Sequence, residues 1–130
     1  MFKKINIQTY QRTDFIDITN YIDELLLESN LTEGEVDIFV PHTTCGITIN
    51  ENADPDVMRD IKYFIDKLIP NDENFLHNEG NSDSHIKTSF FGSSERVFFN
   101  NKKLILGVWQ GIYLCEFDGP RNRNILIKIK

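Results

Sequence analysis

ERVFFNNKKLILG, residues 95–107, decides the fold class. Two runs rich in Val, Phe, Leu and Ile flank the polar turn Asn100–Asn101–Lys102, which is the pattern of a β-hairpin. Strands joined so tightly run antiparallel, because a parallel crossover needs a dozen or more residues. On the C-terminal side, VWQGIYLCEF (108–117) alternates in places, DGPRNRN (118–124) is a turn, and ILIKIK (125–130) is a last strand. On the N-terminal side, EVDIFV (35–40) and GITINEN (46–52) read as strands, and residues 2–11 alternate around Phe2, Ile5 and Ile7. The count is about seven strands, with hairpins dominant and no regular β-α-β rhythm. This predicts a single α+β domain built on a mostly antiparallel sheet or sandwich with two main helices.

The first helix starts at Thr19 and runs through NYIDELLLES, with Ile18, Ile22, Leu25 and Leu26 on one face. The second is DPDVMRDIKYFIDKLIP (54–70). Asp54 is a natural N-cap, Pro55 suits the first helical position, Asp56 complements the dipole, and Pro70 marks the stop. Val57, Ile61, Phe64, Ile65 and Leu68 form its apolar stripe and are expected in the core. Residues 71–85 are loop-like, and a short third helix is expected over about 83–90.

At 130 residues the chain should make one compact domain, with a radius of gyration of roughly 14 Å. Its formal charge of -6 disfavours nonspecific binding to nucleic acid or to an anionic membrane. No apolar window approaches the length of a membrane span, and MFKKINIQTYQ alternates where a secretory signal would be continuous. Cys45 and Cys115 lack C-x-x-C spacing and read as free thiols of a cytoplasmic protein. Lys128 and Lys130 read either as part of a local anion pocket with Arg121 and Arg123, or as a solvated basic tail on an edge strand.

Chemistry is concentrated in the three histidines. His42 lies in PHTTCG, and His77 and His85 lie in HNEGNSDSH, all polar, turn-rich segments and none an apolar run. Together they could supply three ligands to a zinc-like ion and leave a position for water, but with no H-x-H or H-x-x-x-H the spacing is not diagnostic, and by itself it favours three independent polar or capping histidines. Gly80 allows close backbone approach, and Asn81, Ser82 and Ser84 offer short polar groups. Lys87, Ser93 and Ser94 could add phosphate donors. Glu51, in TINENADPD, has no capping role and is a candidate ligand or general base. Trp109 and Gln110 could stack on and bond to a planar ring. Asp118–Gly119–Pro120–Arg121 is a tight turn expected to aim a carboxylate and a guanidinium outward, the latter suited to phosphate. Cys45 beside His42 has no orienting third group, so nucleophilic use of it is disfavoured.

Taken together, PHTTCGITINENADPDV, HNEGNSDSHIK, GSSERV, LGVWQGIYLCEFDGPR and NILIKI closely resemble the YjbQ family, whose members are described as secondary thiamine-phosphate synthases. The likeness runs from about residue 4 to the last strand and keeps motif order and spacing. It implies a jelly-roll-like subunit forming a homotrimer, with the motif histidines in pockets near subunit contacts. By that resemblance His42, His77 and His85 share a catalytic and metal site, and Glu51 joins them. Asn81, Gln110, Asp118 and Arg121 become lining residues, with Lys87, Ser93, Ser94 and Trp109 as substrate contacts. The implied reaction joins a hydroxymethylpyrimidine diphosphate to a thiazole phosphate, using a zinc-like ion at the histidines or Mg²⁺ on the diphosphate. The alternatives are a metal-dependent hydrolase of a small ester or phosphoester and a non-catalytic metabolite-binding protein. Asp83 departs from the family pattern, where a small residue is usual, and Val108 stands where Thr or Ala is commoner.

Overall fold

The computed structural model describes all residues from 1 to 130. In chain order the elements are β1 (Phe2–Gln8), β2 (Asp14–Asp17), α1 (Thr19–Glu28), β3 (Glu33–Phe39), β4 (Cys45–Glu51), α2 (Pro55–Leu68), α3 (Ser82–Phe91), β5 (Ser94–Asn100), β6 (Lys103–Leu104), β7 (Gln110–Glu116) and β8 (Asn122–Ile129). The strands form two sheets, β1-β8-β3-β5-β6 and β2-β7-β4, and every pairing is antiparallel. The α+β antiparallel architecture agrees with the sequence reading. No helix is long and apolar enough to cross a membrane.

Alternation builds the first core. Ile7, Val36, Ile38, Val97, Phe99, Ile125 and Ile127 from the five-stranded sheet meet Ile47, Ile112 and Leu114 from the three-stranded one. The α1 face predicted from spacing, Ile18, Ile22, Leu25 and Leu26, packs into the same cluster. On its other face the three-stranded sheet carries α2 and α3, where Tyr113, Cys115 and Phe117 meet Met58, Ile65 and Ile69. β7 is therefore covered on both sides. This explains its nearly unbroken apolar run, since period-two alternation is expected only where one face is solvated.

Asp54 caps α2 as expected, its carboxylate accepting from the Asp56 N–H at 2.9 Å. The predicted stripe, however, is turned. Met58, Ile65 and Ile69 are buried and Ile61 half-buried against β7, whereas Phe64 and Leu68 are both 59% exposed. The sequence offered two overlapping apolar faces on this helix, and docking on β7 selected one.

Three further differences matter. β2, a four-residue strand paired with the distant β7, was not expected, and β1 ends at Gln8. The short third helix expected over about 83–90 is present as α3 and fills ten residues, Ser82–Phe91. The β5–β6 hairpin turns on Asn101 and Lys102, whose φ of 51° and 59° match a type I′ turn, but the second strand stops at Leu104. β8 is interior, between β1 and β3, so Lys130 is no edge-strand tail. Its ammonium bonds Asp37 and Glu35 at 2.8 and 3.3 Å.

Candidate functional site

The segment joining β7 to β8 is anchored by a buried ion pair. Glu116 and Arg123 lie on the two strands either side of the turn, with side chains 0% and 6% exposed. Arg123 Nε donates to Glu116 Oε1 at 2.8 Å, and Arg123 Nη2 bonds both Glu116 Oε2 and Thr44 Oγ1, the latter at 2.8 Å. Thr9 Oγ1 and the Asp118 N–H complete the carboxylate at 2.8 and 3.1 Å. So saturated a pair keeps its charges without an unmet demand, and it sets where residues 117–121 lie. A lone glutamate in the apolar run IYLCEF, seven residues before an arginine across a turn, was the sequence signal for it.

Asp118 and Arg121 occupy that turn, but they bind one another instead of pointing out separately. Arg121 Nη2 reaches Asp118 Oδ2 at 2.9 Å, and its Nε reaches the Asp118 carbonyl at 2.8 Å. Burial pushes the Asp118 carboxyl up. The Asn81 and Arg121 hydrogen bonds, with the charges of Arg121 and Arg12, outweigh it and hold the group below the usual carboxylate range.

α3 begins over this turn. Ser84 Oγ donates to the Phe117 carbonyl at 2.5 Å, and Asn81 Nδ2 donates to Asp118 Oδ2 at 2.8 Å. Because the amide nitrogen is so engaged, Asn81 Oδ1 has to face elsewhere. It is the single buried side-chain nitrogen or oxygen without a hydrogen-bond partner, on a residue only 7% exposed. An orphan acceptor of this kind calls for a donor or a cation. His85 follows one helical turn after Asn81, and exposed His77 packs edge-to-face on it with ring centroids 5.3 Å apart. Two imidazoles holding one tetrahedral ion at about 2.0–2.1 Å would have centroids roughly 5 Å apart.

His42 does not join them. No group of three or more His, Cys, Asp or Glu side chains is placed to hold a metal, so the expected three-histidine centre is not assembled within one chain. The reason is local. β3 stops at Phe39, and His42 Nε2 accepts the Asn124 N–H at 2.9 Å, continuing the ladder that β3 has left. Burial and then the Arg123 charge hold its pKa below the ordinary imidazole value. A neutral imidazole whose Nε2 accepts must carry its proton on Nδ1, which leaves no lone pair for a metal.

The remaining candidates scatter. Ser93 and His42 line an open groove of about 550 Å³ with Thr43 and Arg123. Ser94 lies in a neighbouring hollow with Asp37 and Arg96. Lys87 is 3% exposed and bonds Asp66 at 2.8 Å and Asp83 at 3.5 Å. Asp83 adds no free charge beside the histidines, since Arg12 and Lys87 take its two oxygens. Trp109 is 60% exposed in the turn before β7. Gln110 closes that turn on the Gly107 N–H, and Glu51 lies opposite it in register. These three mark the end of β7 farthest from Asp118, and the seven-residue strand that separates them is roughly 20 Å long. Burial pushes the Cys45 thiol up to about 12, with the Glu116 charge adding to it, so the thiol is inert.

Residues 3–130 match the model of the family described as UPF0047 protein YjbQ-like. Among relatives, UPF0047 protein MJ1081 of Methanocaldococcus jannaschii is 51% identical over 99% of this chain and 94% of its own length. UPF0047 protein YugU of Bacillus subtilis is 48% identical over 99% and 98%. A solved YjbQ/UPF0047 structure from Clostridium acetobutylicum superposes with a TM-score of 0.95 at 50% identity, covering 98% of this chain and 99% of that one. A Sulfolobus solfataricus structure, described as a YbjQ-like protein of unknown function, gives 0.91 at 31% identity, covering 98% and 94%. None of these descriptions names a reaction. Sequence and structure agree on the kinship: this chain belongs to the YjbQ-like UPF0047 family.

Proposed function

We propose that this protein is an enzyme acting on a small phosphorylated metabolite, with its reacting centre at Asn81, His77, His85 and Asp118. The observation that carries the reading is the buried, unpartnered Asn81 Oδ1 one helical turn before His85, whose ring packs against that of His77. His77, His85 and Asn81 would hold a zinc-like ion, which when bound supplies an acidified water or polarises a phosphoryl oxygen. Asp118 stays anionic near neutral pH and orients Asn81 by taking its amide N–H. Arg121, half exposed, keeps N–H groups beyond the two that Asp118 occupies, and these face an incoming oxyanion.

The reaction implied by the family resemblance is thiamine-phosphate formation. The thiazole nitrogen bonds the pyrimidine methylene carbon, the C–O bond breaks, and diphosphate leaves with the electron pair. Hydrolysis of a phosphoester is the second reading, favoured by a ligand set of two imidazoles and one amide, which leaves positions open for water. The substrate site is completed in a homotrimer, where the Trp109–Gln110–Glu51 end of one chain meets the histidine end of another. Supporting this, those two ends lie too far apart to serve one small molecule within a chain. Phe64, Leu68, Leu76 and Trp109 also leave apolar surface uncovered.

The test incubates purified protein with both phosphorylated precursors and Mg²⁺ or Zn²⁺, alongside His85→Ala and a phosphoester panel. Thiamine phosphate, or phosphate release from the panel, is expected from the wild type and lost by at least a hundredfold in the variant. Light scattering should give about three times the 15.2 kDa chain mass for both proteins. Ligand-dependent stabilisation with no turnover under either metal would replace the enzyme by a binding protein.

A further inference from the structure

A polar cavity lies on the side of α3 away from His85. Asp83 and His85 are two positions apart on that helix and so project on opposite sides, about 200° around its axis. The cavity, of about 410 Å³, has no hydrophobic residue in its lining. Three elements bring a cation each: Arg12 from the β1–β2 connection, Lys62 from α2 and Lys87 from α3. Two carboxylates, Asp66 and Asp83, accompany them.

Accounting for the hydrogen bonds shows what is left over. Asp83, 1% exposed, gives Oδ1 to Arg12 Nη2 at 3.0 Å and Oδ2 to Lys87 Nζ at 3.5 Å. Asp66 Oδ1 accepts from Lys87 Nζ at 2.8 Å and from Thr13 Oγ1 at 3.0 Å. Lys62 has only the neutral Gln11 Oε1, at 2.7 Å. An ammonium carries three N–H donors and a guanidinium five. Lys87 thus retains one donor, Lys62 two and Arg12 four, around a cavity that carries one more cation than carboxylates. On a chain of net charge -6 this is a local reversal of sign. A buried lysine–aspartate network costs desolvation that an apolar packing of equal volume would avoid. Here the aspartates hold Lys87 and Arg12 in the cavity lining with donors to spare.

We propose that this cavity is a binding site for a compact phosphate or diphosphate group, separate from the histidine site. The volume lies in the ordinary range for small-ligand pockets, and more than one N–H is available per terminal phosphate oxygen. Main-chain contact ties the site to the active turn, since the Gly119 N–H donates to the Arg12 carbonyl at 3.0 Å. The group can arrive as the free ion or as part of a phosphorylated metabolite.

The test titrates the wild type with inorganic phosphate, pyrophosphate and a nucleoside monophosphate at constant ionic strength, following heat and melting temperature, with sodium chloride as control. Lys62→Gln, Arg12→Gln and His85→Ala are run beside it. Saturable binding is expected, weakened at least tenfold in Lys62→Gln and in Arg12→Gln, and unchanged in His85→Ala. Tighter binding of the nucleotide would identify the metabolite as the source, and tighter binding of the inorganic ions would identify the free anion. Lys62 is not fully buried and bonds only a neutral side chain, so its variant should fold; if Arg12→Gln unfolds, Lys62→Gln alone decides. Absence of saturable binding, or wild-type affinity in Lys62→Gln, overturns the proposal. Loss of binding in His85→Ala alone would instead place the anion at the histidines, which separates this failure from failure of the enzymatic reading.

Discussion

Arg123→Met tests whether the Glu116–Arg123 pair holds the turn that carries Asp118. Arg123 and Glu116 have side chains 6% and 0% exposed. Methionine fills similar space but leaves the Glu116 carboxylate with only its Thr9 and Asp118 hydrogen bonds and no counter-charge. Removing one partner of a buried pair costs about 3–5 kcal/mol. For a chain of this size that lowers the melting temperature by on the order of 10–20 °C. Urea denaturation followed by circular dichroism measures the loss, and hydrogen exchange at the Asp118 amide, bonded directly to Glu116, reports the turn. The double variant Glu116→Leu/Arg123→Met removes both charges and should recover at least half the lost stability, because no isolated ion remains. A loss below about 1 kcal/mol in the single variant, or a double variant no better than the single, would refute the reasoning.

Two further perturbations follow from local features. Asp54→Ala removes the carboxylate that caps α2 and should cost about 1 kcal/mol, read as a shift in the urea midpoint at unchanged slope. A shift within error would mean that packing on β7 carries the helix without its cap. His42 provides the pH dependence. Its folded pKa lies below the ordinary 6.5, so above pH 6.5 both folded and unfolded imidazoles are neutral and its contribution is complete. As the pH falls below 6.5 the unfolded chain binds a proton that the folded one refuses. Stability is therefore lost until the folded group also titrates. Melting curves from pH 8 down to pH 5 should show the wild type losing ground to His42→Gln, whose amide oxygen can still accept the Asn124 N–H; parallel profiles would contradict it.

Features governed by neighbours a few residues away were legible in the amino-acid order. The Asp54 cap, the Asn101–Lys102 turn, the α1 face and the antiparallel fold class each depend on local backbone preference or simple periodicity. His77 and His85, eight residues apart around Gly80 and Asn81, were found by the same local reading and do meet. What failed needed partners from distant segments. Phe64 and Leu68 were as apolar as Ile65, and only contact with β7 decided which side of α2 was buried. β2 exists because β7 pairs with it across about a hundred residues, and nothing inside DFID announces that. His42 resembled the other two histidines in composition, yet the end of β3 gave its lone pair to Asn124. Lys87, read as a phosphate donor, was drawn inside by Asp66 and Asp83, and Arg121 was tied to its own turn by Asp118. Short-range geometry is written residue by residue, whereas a side chain's free valence depends on which groups the folded chain brings within about 3 Å of it.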